Sequence, residues 1–218
     1  MDLFENFDAT MQAASIWILP VLLAITLHEA AHGYAANRLG DPTARLLGRV
    51  SLNPFRHIDP IGTVLIPGVL LLVGAPFLFG YAKPVPVNFS RLGNPRRDMA
   101  LVAAAGPAAN LILAYLACLL LHVVAWLPDV TMEWSLLVLE KMILLNLVLA
   151  LFNLIPIPPL DGGRILTAVL PAHLAVVYNR LEPFGLALTA LLLFSGILGR
   201  LLGPVLGLVG KLVAVLAG

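Results

Sequence analysis

Two histidines and a glutamate lie close together in the sequence HEAAH at residues 28–32. His28 and His32 are four residues apart, so on a helix both imidazoles face the same side and can share a metal ion. Glu29 can point at a water molecule beside that metal. The preceding stretch, SIWILPVLLAITL, has no charged residue. Charged groups inside a membrane segment cost at least ~2.5–3.5 kcal/mol each and are usually functional, so the pattern predicts a metal site.

The chemistry that this pattern predicts is metal-assisted hydrolysis. In zinc peptidases with His-Glu-x-x-His, the two histidines hold Zn²⁺ and the glutamate is the general base. The metal lowers the pKa of its water from 15.7 to ~7, which makes hydroxide available at neutral pH. We therefore expect zinc bound by His28 and His32, with Glu29 as the base.

A catalytic zinc uses three protein ligands and keeps a fourth position for water, so one ligand is missing from HEAAH. The candidates are Asp161 and the remaining histidines, His57, His122 and His173. Each of these histidines is typical of a surface or interface position. Asp161 follows a proline-rich turn and precedes Gly162 and Gly163, which is also typical of an ordinary turn residue. We favour Asp161 because of the predicted topology.

The composition predicts a membrane protein. Hydrophobic residues make up 60% of the 218 residues and charged residues only 11%, whereas a soluble domain carries roughly 25% charged residues. The net charge of +1 gives no basic field, so we expect no nucleic-acid partner. Cys118 is the single cysteine, which excludes an intramolecular disulfide and favours a small buried apolar residue. Acids near residue 1 argue against a signal peptide.

The lengths of the apolar segments predict an all-α bundle with about five to six transmembrane segments. The apolar segments span 16–36, 61–79, 99–127, 134–154, 184–202 and 204–216. The second and sixth are the weakest, because they are short or interrupted by Gly and Pro. We expect one membrane-embedded domain over 1–218, with a metal-site core at about 16–170 and C-terminal helices at about 184–217.

Loop charges predict the topology. The loops 37–60, 80–98 and 155–183 carry arginine or lysine, whereas 128–133 and the N-terminus carry acids and no base. Basic loops tend to remain cytoplasmic, so 61–79 starts and ends on the same side and should be re-entrant or part of a β-hairpin rather than a crossing.

This path brings Asp161 to the cytoplasmic side, where His28 and His32 also lie. A full crossing by 61–79 would instead put Asp161 on the opposite side of the bilayer from both histidines. The topology therefore predicts a metal site of two imidazoles and one carboxylate.

Several blocks of the sequence resemble one known family. HEAAH in an apolar helix, AGPAAN at 105–110 and NLIPIPPLDGG at 153–163 are similar to the site-2 protease family, the intramembrane zinc metalloproteases of peptidase family M50. GYAKPVPV at 80–87 resembles a bacterial branch of that family. The blocks follow the family's order, but no PDZ-like insertion is present, so the selection of substrates is open.

The resemblance implies a role for each matching residue. His28, His32 and Asp161 would bind one Zn²⁺ per chain, and Glu29 would be the general base. Asn153 would hold the substrate backbone or a transition-state oxygen. Gly106, Pro107 and Asn110 would form a packing and polar contact near the site, with Asn110 also a candidate for binding the substrate or the oxyanion. An extended segment at 84–88, which contains Val85 and Val87, would bind the substrate. Such a segment could add a strand to an unwound substrate.

The expected function is cleavage of peptide bonds within or near transmembrane segments of membrane proteins. The partners would be a transmembrane protein substrate and the lipid bilayer. The protein would be a multi-pass protein of the cell membrane, with its active site toward the cytoplasm. Two alternatives remain, a membrane metal transporter and a catalytically inactive scaffold. The identity of the substrate and the oligomeric state are open.

Overall fold

The computed structural model describes residues 3–66, 69, 83–124 and 126–217, and within these ranges the regular structure is entirely helical. The α-helices are α1 (Leu3–Arg38), α2 (Thr43–Leu46), α3 (Pro95–Val124), α4 (Asp129–Asn153), α5 (Asp161–Val169), α6 (Ala172–Asn179), α7 (Glu182–Phe194) and α8 (Ile197–Ala217). Short 3₁₀ turns span Pro54–Arg56 and Phe89–Arg91, and a π-helical turn spans Pro60–Leu65. The predicted all-α class is confirmed.

Three helices are long and apolar enough to cross a membrane, namely Ala14–Arg38 of α1, α3, and Thr131–Asn153 of α4. The pair α6 and α7, bent by 47°, passes the same test as one broken span. These spans support a membrane protein. The predicted number of five to six segments remains a prediction.

Helix α3 is central in the bundle. It packs against α1, α4, α5 and α8, and small buried side chains allow this close approach. Ala114 and Cys118 of α3 form a core cluster with Leu147 of α4, and the cysteine is free and buried, as its apolar surroundings predict. A second cluster joins Ala36 of α1 to Val102 of α3.

The C-terminal boundary differs from the prediction. We expect a helix to continue to residue 202 and the next to start at Pro204, but the chain breaks at Gly196, whose φ is 70°. Glycine adopts this left-handed conformation easily, and it commonly ends helices. Pro204 instead lies inside α8.

Most of the predicted re-entrant segment lies outside the described residues. The described part begins with the Pro60–Leu65 turn, whose backbone N–H groups at Ile61 and Gly62 donate to the Asp59 side chain. Residues 83–88 have no regular structure, which agrees with the extended conformation that Pro84 and Pro86 favour. The re-entrant path and the hairpin remain predictions.

Candidate metal centre and active site

Three side chains from two distant parts of the sequence converge between α1, α3 and α5. Asp161 Oδ2 lies 3.3 Å from both His28 Nε2 and His32 Nε2, and the two Nε2 atoms are 3.0 Å apart. The three side chains are only 8–12% exposed. Within the described ranges, this is the group of His, Cys, Asp and Glu side chains whose ligand atoms are placed to hold a metal.

Helix geometry brings the two histidines together, and close packing brings Asp161 to them. The proline-rich turn after α4 lets α5 begin directly beside the end of α4. A Cβ atom on Gly162 would collide with the Leu154 carbonyl, and one on Gly163 would lie 2.6 Å from Pro158 N. Both glycines are therefore needed for this approach, which explains why the acid precedes Gly-Gly.

Space for the imidazoles comes from Gly106 of α3. A Cβ atom at this position would lie 2.6 Å from His28 Cε1 and would also collide with His32 Nε2. Such a contact cannot be accommodated without moving a ligand or the helix backbone. The glycine in AGPAAN is thus part of the site and allows α3 to pass across both rings.

The hydrogen bond made by His32 Nδ1 determines whether Nε2 carries a proton or a free lone pair. His32 Nδ1 lies 2.7 Å from the Val102 carbonyl oxygen. A carbonyl oxygen can only accept, so Nδ1 carries the proton and donates it. Nε2 then presents its lone pair to the centre of the site, as a metal ligand requires.

His28 has the same tautomer through a different partner. Its Nδ1 lies 2.6 Å from Asn110 Oδ1, and the Nδ2 group of Asn110 donates to the Ala24 carbonyl at 3.2 Å. Because the amide nitrogen faces a carbonyl, the amide oxygen must face the histidine. His28 therefore donates from Nδ1 and directs the Nε2 lone pair toward Asp161.

The arrangement of lone pairs fits a cation. Two imidazole lone pairs and one carboxylate oxygen meet, and Asp161 Oδ2 is buried without a hydrogen-bond donor among the described residues. Three close acceptors without a donor repel one another unless a positive charge lies between them. Two nitrogen ligands and one oxygen ligand suit zinc.

Glu29 lies beside this group and is held by the extended segment. Its Oε2 accepts a hydrogen bond of 2.8 Å from the backbone N–H of Val85. Val85 is flanked by Pro84 and Pro86, which have no N–H, so it carries the single backbone donor of this tripeptide. The Val85 side chain is buried and would lie 3.2 Å from a Cβ atom on Gly33.

Polar contacts anchor both ends of the extended segment. Asp41 accepts hydrogen bonds from the Asn88 N–H at 2.6 Å and from Thr43, and Arg49 Nη2 donates to the Lys83 carbonyl at 2.6 Å. Burial raises the pKa of the Asp41 carboxyl, but these hydrogen bonds lower it more, so its pKa lies below the usual value. The anchored segment holds Val85 against Glu29.

The other predicted residues have more varied positions. Asn110 is fully buried and bonded to His28, which favours a role in orienting the ligand over the predicted substrate contact. Asn153 donates to the Leu149 carbonyl of its own helix at 3.0 Å, and an amide has a second N–H for another acceptor. Val87 packs against the cluster of Ala36 and Val102.

The alternative ligands lie outside the metal group. The sequence predicts a surface or interface position for His57, but this side chain is buried within the chain, at 1% exposure. Its Nε2 lies 2.9 Å from the Ser51 carbonyl oxygen, so it stabilises the loop between α2 and the extended segment. His122 and His173 are exposed.

Comparisons with known proteins agree with the site. The profile of peptidase family M50 matches residues 128–196, which include Asp161. The "Putative zinc metalloprotease YwhC" of Bacillus subtilis (strain 168) is 38% identical over 194 residues, covering 87% of this chain and 84% of the relative. The "Putative zinc metalloprotease Rip2" of Mycolicibacterium smegmatis is 29% identical over 179 residues, covering 82% and 66%. No solved structure gives a significant match.

The apolar helices, the converged ligands and these relatives define the class of the protein, a zinc metalloprotease of the membrane. The chain belongs to peptidase family M50, the site-2 protease family.

Proposed function

We propose that this protein is an intramembrane zinc metalloendopeptidase that hydrolyses peptide bonds within or near the transmembrane segments of membrane proteins. The observation that carries the proposal is the convergence of His28, His32 and Asp161 beside Glu29, with the histidines and Glu29 on an apolar helix long enough to span a bilayer. A hydrolytic site on such a helix would lie at the depth in the bilayer where the peptide bonds of transmembrane segments lie. We assign the whole chain, 1–218, to one peptidase domain.

Each residue of the site has a proposed task. His28, His32 and Asp161 hold one zinc ion, which when bound supplies Lewis-acid activation of water and of the peptide carbonyl. Glu29 takes a proton from the attacking water as the water oxygen bonds to the carbonyl carbon of the substrate. When the C–N bond breaks, Glu29 delivers that proton to the leaving amine. The second N–H of Asn153 is a candidate donor to the carbonyl oxygen.

The extended segment has a task of its own. Its Val85 N–H is engaged by Glu29, so we assign this group to orienting the base. Pairing with an unwound substrate then falls to the backbone of Val87 and to the carbonyl groups of the segment. A transmembrane helix hides its peptide bonds within its own hydrogen bonds, so some unwinding must precede cleavage.

The basic loops support an active site toward the cytoplasm of a multi-pass protein in the cell membrane. Arg38 ends α1 six residues beyond His32, and Arg45, Arg49 and Arg56 follow before residue 60. An excess of arginine in short loops is typical of the cytoplasmic side.

Glu29→Gln tests the catalytic assignment. Glutamine retains the shape of the side chain and can still accept the Val85 hydrogen bond, but it cannot take a proton. We expect zinc to remain bound while cleavage falls by ~10²–10⁴-fold, the typical contribution of a general base. The measurement combines zinc analysis of purified protein with cleavage, in liposomes, of a labelled single-span transmembrane peptide.

Asp161→Ala and His28→Ala are the matched metal-site variants, and both should lose zinc as well as cleavage. Undiminished cleavage by Glu29→Gln would overturn the proposal. Zinc flux across the liposome membrane without cleavage by the wild-type protein would instead establish a transporter.

A further inference from the structure

A buried asparagine that no part of the proposed mechanism uses lies behind the metal site. Asn146 is in α4, a helix that supplies none of the zinc ligands, and it is fully buried. Asparagine is expensive in an apolar helix unless its amide is hydrogen-bonded. Asn146 is bonded on both sides, which connects α4 to the metal site.

The hydrogen bonds form a chain with one possible direction. Asn146 Nδ2 lies 2.8 Å from the Met142 carbonyl oxygen, which can only accept. The Asn146 oxygen therefore faces Asn110 and accepts from its Nδ2 at 2.8 Å. Asn110 Oδ1 in turn accepts from His28 Nδ1 at 2.6 Å. The chain runs from α1 through α3 to a backbone carbonyl of α4.

We propose that Asn146 is a positioning residue, which fixes the Asn110 amide and through it the orientation of the His28 imidazole as a zinc ligand. This inference rests on the proposed metal site. With Ala24 and Asn146 as acceptors, both N–H groups of Asn110 are satisfied, and its oxygen is held toward the ring. Without Asn146, one of these N–H groups is left buried and unpaired, and the amide is free to tilt away from His28.

The two histidines provide an internal comparison. His32 Nδ1 donates to the Val102 carbonyl and takes no part in this chain. Loss of Asn146 should therefore weaken the orientation of His28 and leave that of His32 unchanged. A general loss of packing around α4 has no reason to affect one ring alone.

The experiment uses zinc-loaded full-length protein in detergent and compares Asn146→Leu, Asn146→Asp and Leu147→Ala. Asn146→Leu should weaken zinc binding by about tenfold in competition with a chelator, the lower end of the effect of outer partners of metal ligands. Its NMR spectrum should show a shifted His28 Nδ1–H resonance and an unchanged His32 resonance. Asn146→Asp keeps a side-chain oxygen that can accept from Asn110 Nδ2, so both quantities should stay close to those of wild type.

Leu147→Ala is the packing control. Leu147 is buried one residue further along α4, against Ala114 and Cys118, so its loss should lower thermal stability and leave zinc affinity and both resonances as in wild type. Wild-type zinc affinity and an unmoved His28 resonance in Asn146→Leu would overturn the positioning role. Failure of the wild-type protein to bind zinc would instead overturn the proposed metal site.

Discussion

Glycines at the metal site and glycines in the C-terminal helix have opposite surroundings. A Cβ atom on Gly106 or Gly162 would collide with the zinc-ligand imidazoles or with the end of α4, whereas at Gly199, Gly203 and Gly207 of α8 no described atom lies within 4 Å. Both regions are apolar and rich in glycine. The difference shows that glycine allows close helix packing at the site, whereas in α8 it lies on an open helix surface.

Of the substitutions that test this difference, Gly106→Ala should have the largest effect on zinc affinity and cleavage. The added methyl group must displace His28, His32 or the α3 backbone. Overpacking costs ~1–3 kcal/mol, and here the cost falls on the zinc ligands. We therefore expect zinc affinity to fall by ~10–100-fold, with cleavage lost in proportion, as measured by chelator competition and by the transmembrane-peptide assay.

Ala103→Gly, in the same helix three residues earlier, is a suitable control for changes in helix propensity. It removes a buried methyl group without adding atoms near the rings, so it should lower stability and retain zinc. If Gly106→Ala kept wild-type zinc affinity, close packing at the site would not require glycine. The site glycines and the α8 glycines would then not differ in their tolerance of a side chain.

Val85→Pro tests a smaller effect at the same site. Proline removes the N–H that holds Glu29, while the flanking prolines already favour an extended backbone. A hydrogen bond to a charged group contributes ~1.5–3 kcal/mol, so we expect kcat to fall by at least ~10-fold with zinc retained. KM should stay near the wild-type value, because the lost contact is to the base.

Val85→Ala is the matched variant, since it keeps the N–H and loses only the side-chain contact near Gly33. It should retain most of the kcat. A large rise in KM for Val85→Pro with unchanged kcat would instead favour the substrate-binding role that the sequence predicts for Val85.

The sequence predicts His28 and His32 as ligands because ionisable groups are rare in an apolar helix, whereas Asp161, which lies in a loop, is predicted from the topology. All three residues carry ionisable groups, and the loop charges predict that they lie on one side of the bilayer. In the structure, ligand atoms of these three residues lie within 4.8 Å of one another. The tautomers of the histidines could not be predicted, because Val102 and Ala24 act through backbone carbonyls, which every residue type has.

Asn146 and the helix break at Gly196 have weaker signals in the sequence. Asn146 is a polar residue in the apolar stretch LLNLVLALFN, and the cost of burying an amide predicts a hydrogen-bonding partner without saying which one. The sequence does not predict the break at Gly196, because glycine and proline compete as helix terminators and Pro204 is the stronger signal. Glycine can adopt the required positive φ, whereas proline is tolerated inside α8.

Gly203→Ala should have the smallest effect, and it should raise thermal stability slightly instead of lowering it. The position is open, so a methyl group meets no described atom, and alanine is a better helix former than glycine by up to ~1 kcal/mol. We expect zinc content and cleavage to equal those of wild type, with thermal stability unchanged or slightly raised in a melting experiment. Gly207→Ala, one turn further along α8, should behave in the same way. A clear loss of stability in both variants would mean that this face of α8 packs closely against another helix in the membrane, because only a contact of that kind would require small residues there.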